Sequence, residues 1–207
     1  MSQPPTGRSR PPRLRGGRPT IRLATADDAA RVQAIYAPIV RDTAISFEVD
    51  PPGVPEMGRR IAHTLVTLPW LVSERDGETL GFAYAAAHRT RPAYRWSVDV
   101  SVYVTGHARR AGVGRGLYVP LLALLTAQGF TSAHAGITLP NPASVGLHQA
   151  LGFTPVGVYR AVGFKLGSWH DVGWWQRRLR EPTVPPPPPA PLPDLPAATV
   201  EVALAGR

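Results

Sequence analysis

The stretch Val102-Tyr-Val-Thr-Gly-His-Ala-Arg-Arg-Ala-Gly-Val-Gly-Arg-Gly-Leu117 constrains the fold more than any other part of the chain. Before it the residues alternate. Trp96, Val98, Val100, Val102 and Val104 fall on one side, and Ser97, Asp99, Ser101 and Tyr103 on the other. That is the two-residue period of a β-strand. After it comes an apolar run of helical length, ending near Gln128. Between strand and helix lie glycines and the cations Arg109, Arg110 and Arg115. Glycine lets backbone N–H groups approach a ligand closely, and a helix N-terminus adds partial positive charge. Strand, basic glycine loop and helix together make an anion cradle suited to a diphosphate. The dinucleotide fingerprint does not fit, because its third glycine and downstream acid are out of place; nor does a P-loop, since no Gly-Lys-Ser/Thr follows.

The elements around this loop are mixed. Ile21–Leu23 reads as a short strand, and Thr25-Ala-Asp-Asp28 as a capping-box variant before a helix bearing Val32, Ile35, Ile39 and Val40. A second helix from Pro55 places Met57, Ile61, Leu65 and Leu68 on one face. Strands at Trp70–Glu74 and Leu80–Ala87 flank the hairpin turn Asp76-Gly77. Downstream the pattern predicts a strand at Ser132–Thr138, a helix at Pro142–Leu151, and strands at Phe153–Val158 and near Asp171–Leu179. A hairpin early and crossovers late indicate an α+β or α/β sheet with helices on both faces.

Composition excludes several classes. The 207-residue chain has no cysteine, which removes disulfides, thiolate metal sites and a cysteine nucleophile. No apolar run has membrane-spanning length and no secretory signal is evident, so a cytoplasmic protein is expected. The net charge is +9, and Arg8, Arg10, Arg13, Arg15 and Arg18 supply more than half of it. Residues 1–19 read as a disordered basic arm, 20–181 as the folded domain, and 182–207 as a Pro-rich tail. The run Pro185–Pro189 favours an extended segment that packs little. A nucleic-acid-binding module is a competing reading, but the arm lacks interleaved aromatics and the domain carries no such motif.

Arg109-Arg-Ala-Gly112-Val-Gly114 resembles the Arg/Gln-x-x-Gly-x-Gly signature of the GNAT acetyltransferase superfamily. Asn141-x-x-Ser144-x-x-Leu147-His148-x-x-Leu151-Gly152-Phe153 resembles its second cofactor-side motif. The phrases Pro69-Trp-Leu-Val72, Ala127-Gln-Gly-Phe130, Leu139-Pro-Asn141 and Gly163-Phe-Lys-x-Gly-x-Trp-His-Asp-Val-Gly173 are most similar to the phosphinothricin and methionine sulfone/sulfoximine group of that superfamily. The resemblance implies the α+β GNAT fold: a mixed, mostly antiparallel twisted sheet with a V-shaped splay and helices on both faces. It also implies acetyl transfer from acetyl-CoA to the amine of a small amino-acid-like acceptor, and a homodimer. A protein N-terminus, an aminoglycoside or a polyamine are alternative acceptors.

By this resemblance Asp99 takes the place of a general-base carboxylate that is usually Glu; being a methylene shorter, it is expected to act through a bridging water. His148 stands where many members carry a tyrosine facing the thiolate, and Tyr118 is a competing acid. The backbone of Val102, Tyr103 and Val104, and of Arg109, Arg110, Ala111, Gly112, Val113 and Gly114, is expected to bind pantetheine and diphosphate, helped by Asn141 and Ser144. Arg89 and Arg91 would hold an anionic acceptor, with Phe47 and Tyr94 as walls. Arg89 stands where the group would be expected to have Lys. His63, His88, His107, His134 and His170 show no ligand spacing, so no metal is expected. Trp169, Trp174 and Trp175 are read as packing or interface residues.

Overall fold

Alternation decides the strands and glycine decides where they stop. The computed structural model describes residues 17–206. Its elements run β1 (Thr20–Leu23), α1 (Ala29–Asp42), α2 (Val54–Leu65), β2 (Trp70–Arg75), β3 (Glu78–Ala87), β4 (Ser97–Val104), α3 (Val113–Gln128), β5 (Ser132–Leu139), α4 (Pro142–Ala150), β6 (Thr154–Lys165), β7 (Ser168–Arg178) and α5 (Ala197–Leu204). All seven strands form one sheet in the order β1-β2-β3-β4-β5-β7-β6. Neighbours are antiparallel except β4 and β5, which run parallel. That α+β architecture is the expected one.

The parallel contact is short. Only Ser97–Ser132, Val98–Ala133 and Asp99–His134 are paired. Beyond Asp99 the two strands diverge, so β4 from Val100 onward has no strand partner on its β5 side. This is the V-shaped splay. The two sheet faces carry separate cores. On one, α3 packs Leu117, Leu121, Leu124 and Leu125 against Leu71, Ala83, Val98 and Val100. On the other, α1 and α2 pack Val32, Ile35, Met57 and Ile61 against Trp70, Val72 and Phe82. Val98 and Val100 are buried on the α3 side, as the alternation requires.

Two local expectations need correction. The strand expected at Phe153–Val158 continues to Lys165, and its partner starts earlier, at Ser168. The alternation is interrupted at Arg160-Ala161, where register shifts and Ala161 takes a φ of 45°. Asp171 holds this bulge: it accepts the Ala161 N–H at 2.8 Å and an Arg160 N–H at 2.8 Å.

The second correction is the tail. Residues 1–16, most of the expected basic arm, lie outside the described residues, but the proline segment is described and it packs. Trp96 Nε1 donates to Pro187 O at 2.7 Å, and Gln128 Nε2 to Ala190 O at 2.8 Å. Ala190 N–H donates back to Gln128 O at 2.8 Å, and Leu192 N–H to Thr67 O at 3.0 Å. Leu192 is buried, and α5 adds Val200, Ala203 and Leu204 to the α3 core. An extended proline chain makes no hydrogen bonds of its own, so its peptide groups are free to bond the domain. Four apolar side chains then anchor it.

Candidate active site

The cleft opened by the splay is lined by Val100–Tyr103 of β4, Ala135–Thr138 of β5, Tyr118 of α3, Asn141, Ser144 and His148 of α4, and Ile45. Its floor is therefore the unpaired edge of β4. A strand edge with free N–H and C=O groups is a template for any extended amide-bearing ligand.

At one end of this edge stands the glycine loop. Gly112 is the N-cap of α3 at φ 82°, and Arg110 also has a left-handed φ of 61°. The first helical bond at that end runs from Gly116 N–H to Gly112 O at 2.9 Å. The N–H groups of Val113, Gly114 and Arg115 thus start the helix without helical acceptors. A Cβ at Gly112 would meet no atom within 4 Å, so the space beside the cap residue is open. At Gly114 a Cβ would come to 3.1 Å from Leu147 Cδ2, which keeps the first turn tight against α4. Val113 is buried, while Arg109, Arg110 and Ala111 are exposed. Open donors, a helix start and exposed guanidinium groups fit a diphosphate.

On the α4 side, Asn141 caps the helix by accepting the Ser144 N–H at 3.1 Å. His148 Nδ1 lies 2.8 Å from Ser144 O, and Tyr118 Oη lies 3.1 Å from His148 Nε2. A carbonyl only accepts, so Nδ1 carries the proton and Nε2 accepts the Tyr118 hydroxyl. Burial pushes the His148 pKa down and that of Tyr118 up. The pair is neutral, and His148 has no spare N–H to offer a sulfur. On this side the hydroxyl proton belongs to Tyr118, which gives it to His148 Nε2.

At the other end of β4 sits Asp99. Burial raises its pKa, partly offset by a hydrogen bond from His88. His88 Nδ1 lies 2.6 Å from Asp99 Oδ1. His134, opposite Asp99 on β5, stacks on His88 with ring centroids 4.2 Å apart. Desolvation first, then the neighbouring His88 and Arg89, push the His134 pKa down to about 4. Tyr94 and Trp174 approach the His88 ring edge-on, each at 6.0 Å.

The expected acceptor residues are only partly gathered. Arg89 is exposed, donates to His88 O at 2.7 Å and lies over Trp174 at 5.7 Å. Tyr94 is beside His88, and Arg91 is exposed in the same loop. Phe47 is elsewhere, packed on Gly163 and tilted against His170 at 6.2 Å. The Tyr103 side chain leaves the cleft edge for the α1 side, where it meets Tyr36 at 5.0 Å. Ile45 was not singled out from sequence, His88 and His134 were weighed only as metal ligands, and Trp174 only as a packing or interface residue. For His88 the signal was available: in the β3–β4 register Ala86 faces Asp99, so His88, two residues on, shares its face.

Residues 21–174 match the acetyltransferase (GNAT) domain family. The chain is 43% identical to the phosphinothricin N-acetyltransferase of Streptomyces viridochromogenes over 167 residues, covering 81% of this chain and 91% of that protein. It is 34% identical over 169 residues to the L-methionine sulfoximine/L-methionine sulfone acetyltransferase of Salmonella typhimurium, covering 80% and 98%. Among solved structures, a GNAT superfamily phosphinothricin acetyltransferase from Sinorhizobium meliloti, in complex with AcCoA, matches at 37% identity and a TM-score of 0.78, covering 83% of this chain and 94% of that one.

Proposed function

Because the chain belongs to the GNAT acetyltransferase family and is an N-acetyltransferase, we propose that it moves acetyl from acetyl-CoA to the amine of a small amino-acid-like acceptor of the phosphinothricin or methionine sulfone/sulfoximine type. The observation that carries this reading is the free edge of β4, which runs from Asp99 toward the open N–H cradle at Gly112. Acetyl-CoA supplies the activated acyl group. Val113, Gly114 and Arg115 N–H groups with Arg109 and Arg110 would hold its diphosphate, and Val102–Val104 with Asn141 and Ser144 its pantetheine arm. A backbone N–H near Val102 or Tyr103 would polarise the thioester carbonyl. Tyr118 would give the leaving sulfur its proton. Asp99 supplies the negative charge that draws a proton from the amine. Much of the rate gain would come from holding the two reactants together.

Arg89 and Arg91, both exposed in the β3–β4 loop, favour an anionic acceptor over a polyamine or aminoglycoside. The chain is expected to work as a homodimer. Val156, Val158, Tyr159, Val162, Phe164 and Trp169 leave an apolar, exposed face on β6 and β7. Among the described residues no helix is long and apolar enough to cross a membrane, and the proposed setting is the cytoplasm. The test is a panel of phosphinothricin, methionine sulfone, methionine sulfoximine, a polyamine and an aminoglycoside with acetyl-CoA, read by thiol release and product mass. Turnover confined to the first three supports the assignment; turnover confined to the cationic amines overturns it.

A further inference from the structure

We infer that the proton acceptor touching the amine is His88 Nε2, with Asp99 as its orienting partner, so that the reaction uses an aspartate–histidine pair in place of a lone carboxylate. The inference rests on the acetyltransferase reading of this site and concerns which atom takes the proton.

Three observations carry it. Asp99 is short for its place, and its carboxylate is already engaged by an imidazole at 2.6 Å. With Asp99 ionised, the carboxylate can only accept, so His88 Nδ1 bears the proton and Nε2 is left with its lone pair. Among the described residues, Nε2 has no hydrogen-bond partner, and it is not among the buried polar atoms lacking one. It is therefore an accessible base on a ring whose orientation is fixed.

The ring is fixed from every side. Asp99 of β4 holds Nδ1, His134 of β5 stacks on one face, and Trp174 of β7 and Tyr94 meet it edge-on. The charged or titratable groups facing it are Asp99, His134, Arg89 and Tyr94. His134 stays neutral, since its pKa is pushed down to about 4. Asp99 and Arg89 are then the charges nearest the ring. Arg89 would place an acceptor's anionic group beside the ring while Nε2 meets its amine. An imidazole is also intrinsically the stronger base, by about two and a half pH units over an aspartate in ordinary peptides.

The step balances as follows. The acceptor's ammonium gives one proton to Nε2, which passes it to solvent. The freed nitrogen lone pair forms the C–N bond to the acetyl carbon. The C–S bond breaks with its electron pair on sulfur. The nitrogen's second proton leaves as the amide forms, and sulfur ends with one proton. The products are the N-acetyl compound, free CoA thiol and one released proton.

The test compares wild type, His88→Asn, and His88→Asn combined with Asp99→Glu, on whichever panel amine wild type acetylates fastest. Asparagine keeps an N–H for Asp99 but has no basic nitrogen. A fall in kcat of about a hundredfold or more, with acetyl-CoA affinity by calorimetry unchanged, supports the inference. So does recovery of about tenfold in the double variant, because the longer acid reaches the amine itself. A kcat within about threefold of wild type and an unmoved pH profile would overturn it and leave Asp99 as the direct base. Nitrogen NMR of the imidazoles gives a readout independent of turnover and of how well the variants fold: an Nε2–H tautomer for His88 near neutral pH overturns the inference. Wild type that releases no thiol with any amine, yet shows His88 as the Nδ1–H tautomer, would instead overturn the acceptor reading.

Discussion

Replacing Gly112 by valine separates the two roles of that residue. Its φ of 82° lies in the left-handed region, where an L-residue costs about 1–2 kcal/mol. No atom lies within 4 Å of the added Cβ, so there is no clash to add. The free protein should therefore lose about 1–2 kcal/mol, or about 2–8 °C in Tm for a domain of this size. Binding should suffer far more if the diphosphate occupies the open space at Gly112, which the isopropyl group would fill. A hydrogen bond to a charged group is worth about 1.5–3 kcal/mol. Displacing one from the diphosphate weakens acetyl-CoA binding by about ten- to 150-fold, and displacing two puts it beyond ordinary measurement. Gly112→Ala, with the same backbone strain and a smaller side chain, should match the Tm loss and keep more of the affinity. Thermal unfolding by circular dichroism and acetyl-CoA titration by calorimetry read the two effects separately. Full-strength binding by the valine variant would place the diphosphate elsewhere. An unaltered Tm would show that Gly112 is not held left-handed.

Three further expectations rest on single contacts. Asp99→Asn should slow the reaction by about a hundredfold or more while acetyl-CoA affinity holds, and an unaltered kcat would remove Asp99 from the proton path altogether. The same variant should gain stability at neutral pH and none well below pH 4. Burial raises the native Asp99 pKa above its ordinary 3.8, so the folded state holds the proton longer and stability falls as pH rises through that window; a denaturation midpoint that fails to rise at neutral pH refutes this. Tyr118→Phe should lower kcat by about a hundredfold if Tyr118 protonates the sulfur, and an unchanged kcat removes that role. Leu192→Ala, in the buried strap, should cost about 2–5 kcal/mol of stability by urea denaturation with acetyl-CoA affinity intact; a midpoint unmoved from wild type would return residues 182–207 to a loosely packed tail.

What was legible in the sequence was what local physics decides. β4 and α3 follow from a two-residue period that turns helical across a glycine loop, and the capping at Asp28 follows from spacing: its carboxylate accepts the Thr25 N–H at 2.8 Å. What was illegible depends on partners distant in the chain. Prolines announce an extended backbone, and nothing local says that Gln128, some 60 residues earlier, will bond it. The extension of β6 past Val158 depends on Asp171 holding a bulge that breaks the alternation. In the site, the single residues were visible, but the pairings that set their chemistry were not. His148 was read as a candidate acid, and its bond to Ser144 O makes it an acceptor of the Tyr118 hydroxyl instead.

Asp99 shows why pairing matters more than residue type. A carboxylate of ordinary acidity is a weak base for an ammonium group, so a catalytic acid of this kind gains from burial that raises its proton affinity. Here burial does raise it, and the bond from His88 pulls in the opposite direction. An aspartate meant to take the proton itself would be better served without that donor. One meant to orient an imidazole and stabilise its charged form requires it. The 2.6 Å bond therefore favours the second arrangement. The neighbouring histidine is kept neutral by burial and stacks on the ring without competing for the same carboxylate. On the proposed reading, aspartate where the resemblance leads one to expect glutamate is then a change in which atom meets the amine. The short side chain leaves room for the ring that replaces its reach.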